Sequence, residues 1–353
     1  MRALRLHGPK DLRLEDIPEP EPRPGTVKIK VDWCGICGSD LHLYQAGPAA
    51  FGLDHPHPLT GERAPAVMGH EFAGHVTEIG EGVTGLAVGD AVCVEPEIYD
   101  DTCAYCRHGD HNLCQQGGFV GINGWGGGLS EYVVLPPRMV HRLPDGVGTD
   151  LGALVEPLAV AWHAVRRAAL PPGAAALVVG AGPIGLGLLS ALNATGARLV
   201  AVSELSPARK ELAQRLGAGI VLDPTRDDVL ARVRELTDGL GVDAAFDASG
   251  LQVTLDTALG SLRKRGTLVN LAMWEQPAAI TPTQFMMTET SYTSSIGYAG
   301  TDFPSVIAAM ARGTIDAAPF ITSRIPLERV VEDGYESLLG AGRDAHVKIL
   351  VHP

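Results

Sequence analysis

Cysteine, histidine and carboxylate residues fall in the first half of this 353-residue chain at positions that can hold a metal ion. Cys37 lies in Cys34-Gly35-Ile36-Cys37-Gly38-Ser39-Asp40-Leu41-His42. His70 and Glu71 follow in Gly69-His70-Glu71-Phe72-Ala73-Gly74, and Glu156 opens Glu156-Pro157-Leu158-Ala159-Val160. One thiolate, one imidazole and one carboxylate make a zinc set that leaves a fourth position for water or a substrate oxygen. Taken singly, each has a plainer reading. A lone cysteine is a small buried hydrophobe, and a histidine beside a glutamate is a surface or hydrogen-bonded pair. Cys34 faces the other side of a strand from its neighbours and is read as core, as is Cys93. The other three cysteines, Cys103, Cys106 and Cys114, form C-x2-C-x7-C, a second group suited to a metal.

A different chemistry is written in Gly180-Ala181-Gly182-Pro183-Ile184-Gly185, which fits G-x-G-x-x-G. It follows the apolar strand Ala176–Val179 and opens a helical pattern, the context the motif requires. The glycines permit a tight turn and close backbone approach. The free N–H groups and dipole of the helix N-terminus then receive a pyrophosphate. Glu204 ends the next strand, nineteen residues beyond Gly185. A carboxylate there accepts the ribose hydroxyls and repels a 2′-phosphate, so NAD is expected over NADP. Arg209 stands near enough to reach the ribose or, in the opposite reading, to favour the phosphate.

The elements that must position these groups show in the patterning. Up to about Glu156 the chain reads as short strands: Val27–Val31, His75–Ile79, Ala91–Val94 and Glu131–Leu135, with frequent Gly and Pro between them. That points to a barrel or sandwich. Fully apolar strands then alternate with helices: Ala176–Val179, Leu199–Val202, a helix opened by Ser206-Pro207, then Ile220–Leu222, Ala244–Phe246 and Thr267–Asn270. Such alternation predicts a parallel sheet covered on both faces. After about Ser295 mixed elements return and end in the strand Val347–Val351. The middle part is therefore expected as an insertion, with domains at 1–156, 157–295 and 296–353, the first carrying a metal lobe at about 96–115.

Bulk properties narrow the classes. Charged residues are 20% of the chain, hydrophobic residues 45% and aromatics 5%, with 43 Gly and 25 Pro, which suits a turn-rich globular protein rather than a helical bundle. The formal net charge of -13 supplies no basic face for nucleic acid. Ala168–Arg198 carries no charge between its ends, but Pro171-Pro172-Gly173 and the turn at Gly180 break it into strand and helix. No membrane span is expected. Met1-Arg2-Ala3-Leu4-Arg5 runs straight into an alternating pattern without an apolar signal core. A cytoplasmic chain with metal-binding rather than disulfide-bonded cysteines is the expectation.

Together these segments, spanning nearly the whole chain, resemble the zinc-containing medium-chain alcohol dehydrogenases. The resemblance implies an α/β protein: a GroES-like β-barrel catalytic domain with an inserted Rossmann doubly wound parallel-sheet domain. It implies that Cys37 and His70 are ligands of a catalytic zinc and that Glu71 exchanges on and off the metal. Glu156 matches the ligand of the polyol and butanediol branch. Ser39 and His42 resemble the proton relay, and Lys348 the basic residue at the cofactor pyrophosphate. The backbone near Leu271 and Ile296 resembles the segments that bind the nicotinamide carboxamide. The family's lobe C-x2-C-x2-C-x7-C holds a structural zinc; here Asp100 occupies the first cysteine position. Zinc completed by Asp100, zinc completed by Asp101, His108 or water, and an empty lobe with free thiols are the competing expectations.

The segments Pro56–Glu62 before Ala64-Pro65, Ser39–Tyr44 and Gly126–Tyr132 resemble the 2,3-butanediol branch. They imply NAD-linked interconversion of a diol such as R,R-butanediol with acetoin, with sorbitol-like polyols and L-threonine as alternatives, and a homo-oligomer, dimer or tetramer. Readings of another class are a zinc-free quinone or enone reductase and a non-catalytic cofactor-binding protein. Cys37, His70 and Glu156 oppose the first; the pair Ser39 and His42 opposes the second.

Overall fold

In the computed structural model, which describes residues 1–340 and 342–353, contacts divide the chain into two units. The first comprises Met1–Glu156, Ala299–Ala311 and Ala317–Pro353; the second comprises Pro157–Tyr298 and Arg312–Asp316. The sequence reading places the later border at 295/296 and leaves 312–316 in the return segment. No Gly/Pro cluster or change of period marks the few residues on which the two divisions differ.

The first unit contains β1 (Arg2–Gly8), β2 (Asp11–Asp16), β3 (Val27–Gly35), α1 (Gly38–Ala46), β4 (Ala66–Val67), β5 (Glu71–Ile79), β6 (Ala91–Val94) and β7 (Glu97–Ile98). It continues with α2 (Ala104–Arg107), β8 (Gly118–Phe119), β9 (Tyr132–Leu135), β10 (Val140–Arg142) and α3 (Thr149–Gly152). The helix α4 (Val155–Arg167) follows, with Glu156 in its first turn. The main sheet runs β10-β6-β5-β3, and then β18 (Lys348–His352) and β17 (Ile321–Pro326) from the far end of the sequence; β9 also pairs with β3. Long-range pairing of β3 with β18 is what makes the last residues part of the first unit. Leu4, Ile29, Val31, Phe72, Val76, Val133 and Ile349, all buried, fill its GroES-like barrel core. The final strand is shifted one residue from the expected Val347–Val351, and β18 is buried on both faces except at His352.

The second unit holds β11 (Ala175–Val179), α5 (Pro183–Ala194), β12 (Leu199–Ser203), α6 (Pro207–Arg215), β13 (Ile220–Leu222), α7 (Val229–Leu236) and β14 (Val242–Asp247). After these come α8 (Gln252–Ser261), β15 (Leu262–Asn270), α9 (Pro282–Thr288) and β16 (Ser291–Ser294). The six strands lie in the order β13-β12-β11-β14-β15-β16, every pair parallel. Every residue of β11 is buried, as a strand covered on both faces must be. Strand order reverses between β11 and β14, so the crevice beyond their carboxyl ends is the expected ligand site of this Rossmann architecture. Among the described residues, no helix is long and apolar enough to cross a membrane.

Candidate active site

Two strand-to-helix junctions of the first unit bring the catalytic candidates together. β3 ends at Gly35, and Cys37 caps α1 two residues later; β5 begins at Glu71, directly after His70. Ligand atoms of Cys37, His70 and Glu71 lie within 4.8 Å of one another, with His70 and Glu71 buried. Glu156 is not a member of that trio. It is buried at 6% exposure, and its charge is near enough to raise the pKa of Lys348.

Asp40, which the sequence reading passed over, orders this cluster. Its Oδ2 accepts a hydrogen bond from the Cys37 N–H at 2.9 Å, and its Oδ1 faces His70 Nδ1 at 3.5 Å. With Asp40 on Nδ1, the other nitrogen, Nε2, is the one turned to the Ser39 hydroxyl at 3.3 Å. At 3.5 Å the two atoms are coupled by charge rather than by a formed hydrogen bond, and both are buried without a hydrogen-bond partner among the described residues. Burial disfavours the imidazolium, yet Asp40 and Cys37 outweigh it and hold the His70 pKa well above its ordinary value. The signal for Asp40 was available: a carboxylate three residues after a helix N-cap is a capping-box position. Phe119 sets its ring edge-on to His70, 6.4 Å between centroids. Cys34 is fully buried and its thiol is pushed well up by burial, which suits the core reading.

Ser39 and His42 are both half-buried on α1, three residues apart and so on one face. Among the described residues no hydrogen bond joins them directly. Lys348, expected by resemblance at the cofactor pyrophosphate, is paired here with the metal-site carboxylate. Its ammonium, 2% exposed, donates to Glu71 Oε2 at 2.6 Å, Glu71 Oε1 at 2.8 Å and the Ile36 carbonyl at 3.1 Å. Those contacts use all three of its donors. Burial would lower its pKa, but Glu71 and Cys37 reverse the effect and raise it.

The cysteine lobe assembles between β7 and β8. Cys103 caps α2, its sulfur accepting from the Cys106 N–H, and the Asp100 N–H points to the Cys114 sulfur at 3.4 Å. Ligand atoms of Asp100, Cys103, Cys106 and Cys114 lie within 4.8 Å of one another. Asp101 and His108 are outside this group; His108 Nδ1 contacts the Ala104 carbonyl at 2.6 Å. Backbone N–H groups of Cys103 and Thr102 hold the Asp100 carboxyl at a pKa of about 2, so it stays an anion. Burial pushes the Cys106 thiol up to about 12.

In the second unit Gly180, Gly182, Pro183, Ile184 and Gly185 form the turn from β11 into α5, with Gly182 as N-cap and Pro183 at the first helical position. A Cβ on Gly185 would lie 1.8 Å from the Gly180 carbonyl oxygen, whereas one on Gly182 would meet nothing within 4 Å. The first fact is helix–strand closeness and the second is open space for a ligand. These are the separate duties that the motif divides among its glycines. Glu204 sits just past β12, with Oε2 accepting from Ala181 N–H at 2.6 Å and Oε1 from the Leu205 and Ser206 N–H groups at 2.7 Å each. Arg209 lies in the first turn of α6. The Leu271 N–H donates to the Asp247 carbonyl at 3.0 Å, and Ile296 is 64% exposed.

A cysteine–histidine–glutamate trio in a GroES-like unit and a Gly-rich strand-to-helix turn in a Rossmann unit are the arrangement of a zinc-binding dehydrogenase. Residues 23–145 match the alcohol dehydrogenase GroES-like domain, and residues 183–312 match the zinc-binding dehydrogenase domain. The chain is 46% identical to (R,R)-butanediol dehydrogenase of Bacillus subtilis over the full length of both. It is 42% identical to (R,R)-butanediol dehydrogenase of Neisseria gonorrhoeae, covering 100% of this chain and 99% of that protein. The crystal structure of 2R,3R-butanediol dehydrogenase from Bacillus subtilis superposes with a TM-score of 0.93 at 45% identity, covering 100% of this chain and 99% of that one. The chain belongs to the zinc-binding alcohol dehydrogenase family.

Proposed function

We propose that this protein oxidises a vicinal diol, 2,3-butanediol in its R,R form, to acetoin with NAD as hydride acceptor, and runs the reverse reduction. The observation that carries the reading is the Cys37, His70 and Glu71 trio with Asp40 behind His70. The family and the two butanediol dehydrogenases so similar in sequence direct the choice of substrate. Cys37, His70 and Glu156 would hold the catalytic zinc, with Glu71 within reach of it. A zinc there supplies Lewis acidity that lowers the alcohol's pKa. Asp40 sets its charge beside the His70 ring, and Ser39 Oγ takes the substrate proton and passes it toward His42. The Gly180–Gly185 turn receives the pyrophosphate of NAD. Glu204 and Arg209 meet the adenosine ribose, and the backbone at Leu271 and Ile296 meets the carboxamide. Holding donor and acceptor in fixed orientation supplies much of the rate.

Asp100, Cys103, Cys106 and Cys114 are proposed to hold a second, structural zinc. A homodimer or tetramer in the cytoplasm is proposed as well. In support, β16 pairs with β15 alone among the described residues, and Met286, Met287 and Tyr292 around it are exposed, a profile suited to covering by a second copy. The test is metal counting on unchelated protein together with assays of butanediol stereoisomers, sorbitol and L-threonine with NAD and NADP. Two zinc per chain and highest kcat/KM for R,R-butanediol with NAD are expected. Diol oxidation by protein with no metal at Cys37 and His70 refutes the mechanism.

A further inference from the structure

We infer that His57, Thr60 and Glu62 form a latch of positioning residues that sets Phe119 beside His70 and so governs which alcohols fit at the site. The inference rests on the function proposed above and adds a specificity device to it.

Pro56–Glu62 and Gly126–Tyr132 lie far apart in sequence, yet the first segment grips the turn that leads into the second. His57 Nε2 lies 3.3 Å from the Gly117 carbonyl oxygen, the Thr60 hydroxyl donates to the Asn123 carbonyl at 2.7 Å, and Glu62 Oε1 accepts from the Trp125 N–H at 2.9 Å. The latch is itself closed: Thr60 Oγ1 accepts from the Glu62 N–H at 3.1 Å, and the His57 N–H donates to the Glu62 carbonyl at 2.8 Å. A Cβ on Gly118 would lie 2.7 Å from His57 Nε2, and one on Gly124 would lie 2.7 Å from Thr60 Oγ1. The two segments therefore meet without slack, and only glycine permits the approach.

The gripped turn ends at the metal site. Asn123 brackets Phe119: its side-chain oxygen accepts from the Phe119 N–H at 3.0 Å, and its own N–H donates to the Phe119 carbonyl at 2.7 Å. Phe119 in turn stands edge-on to His70. A shift at Thr60 thus reaches Phe119 through Asn123 alone. Beyond the turn, the Gly128 N–H donates to the Gly69 carbonyl at 2.7 Å, next to His70 in the chain. Trp125 shows why a latch is needed. Its φ of 60° is a left-handed backbone that a bulky residue keeps only under restraint from its surroundings. Glu62 places an ionised acceptor, stronger than a neutral one, on the N–H of that residue. Glu62 is itself exposed, so what it fixes is the shape of the turn rather than the core.

The experiment measures kcat and KM of the zinc-loaded full-length protein for R,R-2,3-butanediol and for R,R-3,4-hexanediol, one methylene longer at each end. A methylene in an apolar pocket alters kcat/KM by about 10- to 200-fold, so a loosened wall shows in the ratio of the two substrates. Thr60→Val and Glu62→Ala should raise KM for butanediol about tenfold with kcat within about twofold, and shift the ratio about tenfold toward hexanediol. Glu62→Gln keeps an oxygen for the Trp125 N–H and should stay within about twofold of wild type. Phe119→Ala should shift the ratio by itself, and Thr60→Val added to it should change the ratio by less than about twofold. A ratio unchanged in T60V and E62A, or a full shift retained in the Phe119→Ala background, overturns the inference. Should T60V or E62A not fold, His57→Ala is read by the same two criteria. A wild type that oxidises neither diol overturns the proposed function instead. The latch is then judged by hydrogen exchange across 117–125, about tenfold faster or more in T60V and E62A if it holds and unchanged if it does not.

Discussion

Glu204→Gln separates two duties of one carboxylate. The carboxylate accepts three backbone N–H groups, Ala181 on one oxygen and Leu205 and Ser206 on the other. Glutamine keeps the length but turns one oxygen into a donor. The amide keeps its oxygen toward the two N–H groups of Leu205 and Ser206, so Ala181 in the Gly-rich turn loses its acceptor. One hydrogen bond to a charged group is worth about 1.5–3 kcal/mol. The loosened turn weakens NAD and NADP alike, so kcat/KM for each falls about 10- to 150-fold by this route. Charge acts only on NADP. A unit charge about 5 Å from a doubly charged phosphate at an effective dielectric of about 20 is repelled by about 6–7 kcal/mol, an upper bound that open water cuts severalfold. About 2–4 kcal/mol then remains, a preference for NAD on the order of 30- to 1000-fold. Initial rates with both cofactors check the reasoning. The NAD/NADP ratio of kcat/KM should drop about tenfold or more in E204Q. A wild-type ratio near one, or a ratio unchanged in E204Q while the NAD rate falls, would show that the carboxylate serves the turn and not the choice of cofactor.

Two other outcomes follow from the first unit. Asp100→Asn keeps an oxygen for the Thr102 and Cys103 N–H groups but removes the anionic ligand, whereas Asp100→Ala removes both. Zinc per chain should fall from two to one in each, with the larger loss of thermal stability in D100A; two zinc and an unchanged melting temperature in D100N refute Asp100 as the fourth ligand. Tyr44, whose hydroxyl donates to Glu336 at 2.5 Å, has its pKa raised to about 12 by burial and that bond. Because the folded value exceeds the unfolded value of about 10, its contribution is whole below pH 10 and disappears as pH climbs through about 12. Urea midpoints at pH 9 and 11 should converge more closely in Tyr44→Phe than in wild type, and equal pH sensitivity would exclude Tyr44 as the source.

Where the sequence is legible, local physics is the reason. β11 and the first four residues of β12 are uninterrupted apolar runs, the helix after the first begins at a Gly-Pro step, and Ser206-Pro207 is an N-cap followed by the residue that best occupies a first helical turn. Each is a short-range signal, and the parallel sheet is their sum. The cysteine lobe is legible too, since its members fall within fifteen consecutive positions and Asp100 is the carboxylate the fold brings to the three thiols. Asp101 stands next to it in sequence but takes a left-handed backbone, φ 57°, that carries its side chain elsewhere.

Lys348 is the opposite case. Its partner Glu71 is 277 positions away, and nothing in Val347-Lys348-Ile349-Leu350-Val351 distinguishes an inward lysine from one on a solvated strand face. By resemblance alone it goes to the pyrophosphate, where a basic residue has an obvious partner. Only the pairing of β18 with β3, and the absence of a side chain at Gly35, reveal that the ammonium turns inward to a carboxylate. The same geometry accounts for Gly35 itself, whose place in C-G-I-C reads as nothing more than a small residue between cysteines. A metal centre is thus visible in sequence as its ligands, which need particular atoms. The groups that contact the ligands need only a position, and strand pairing sets that position across the whole length of the chain.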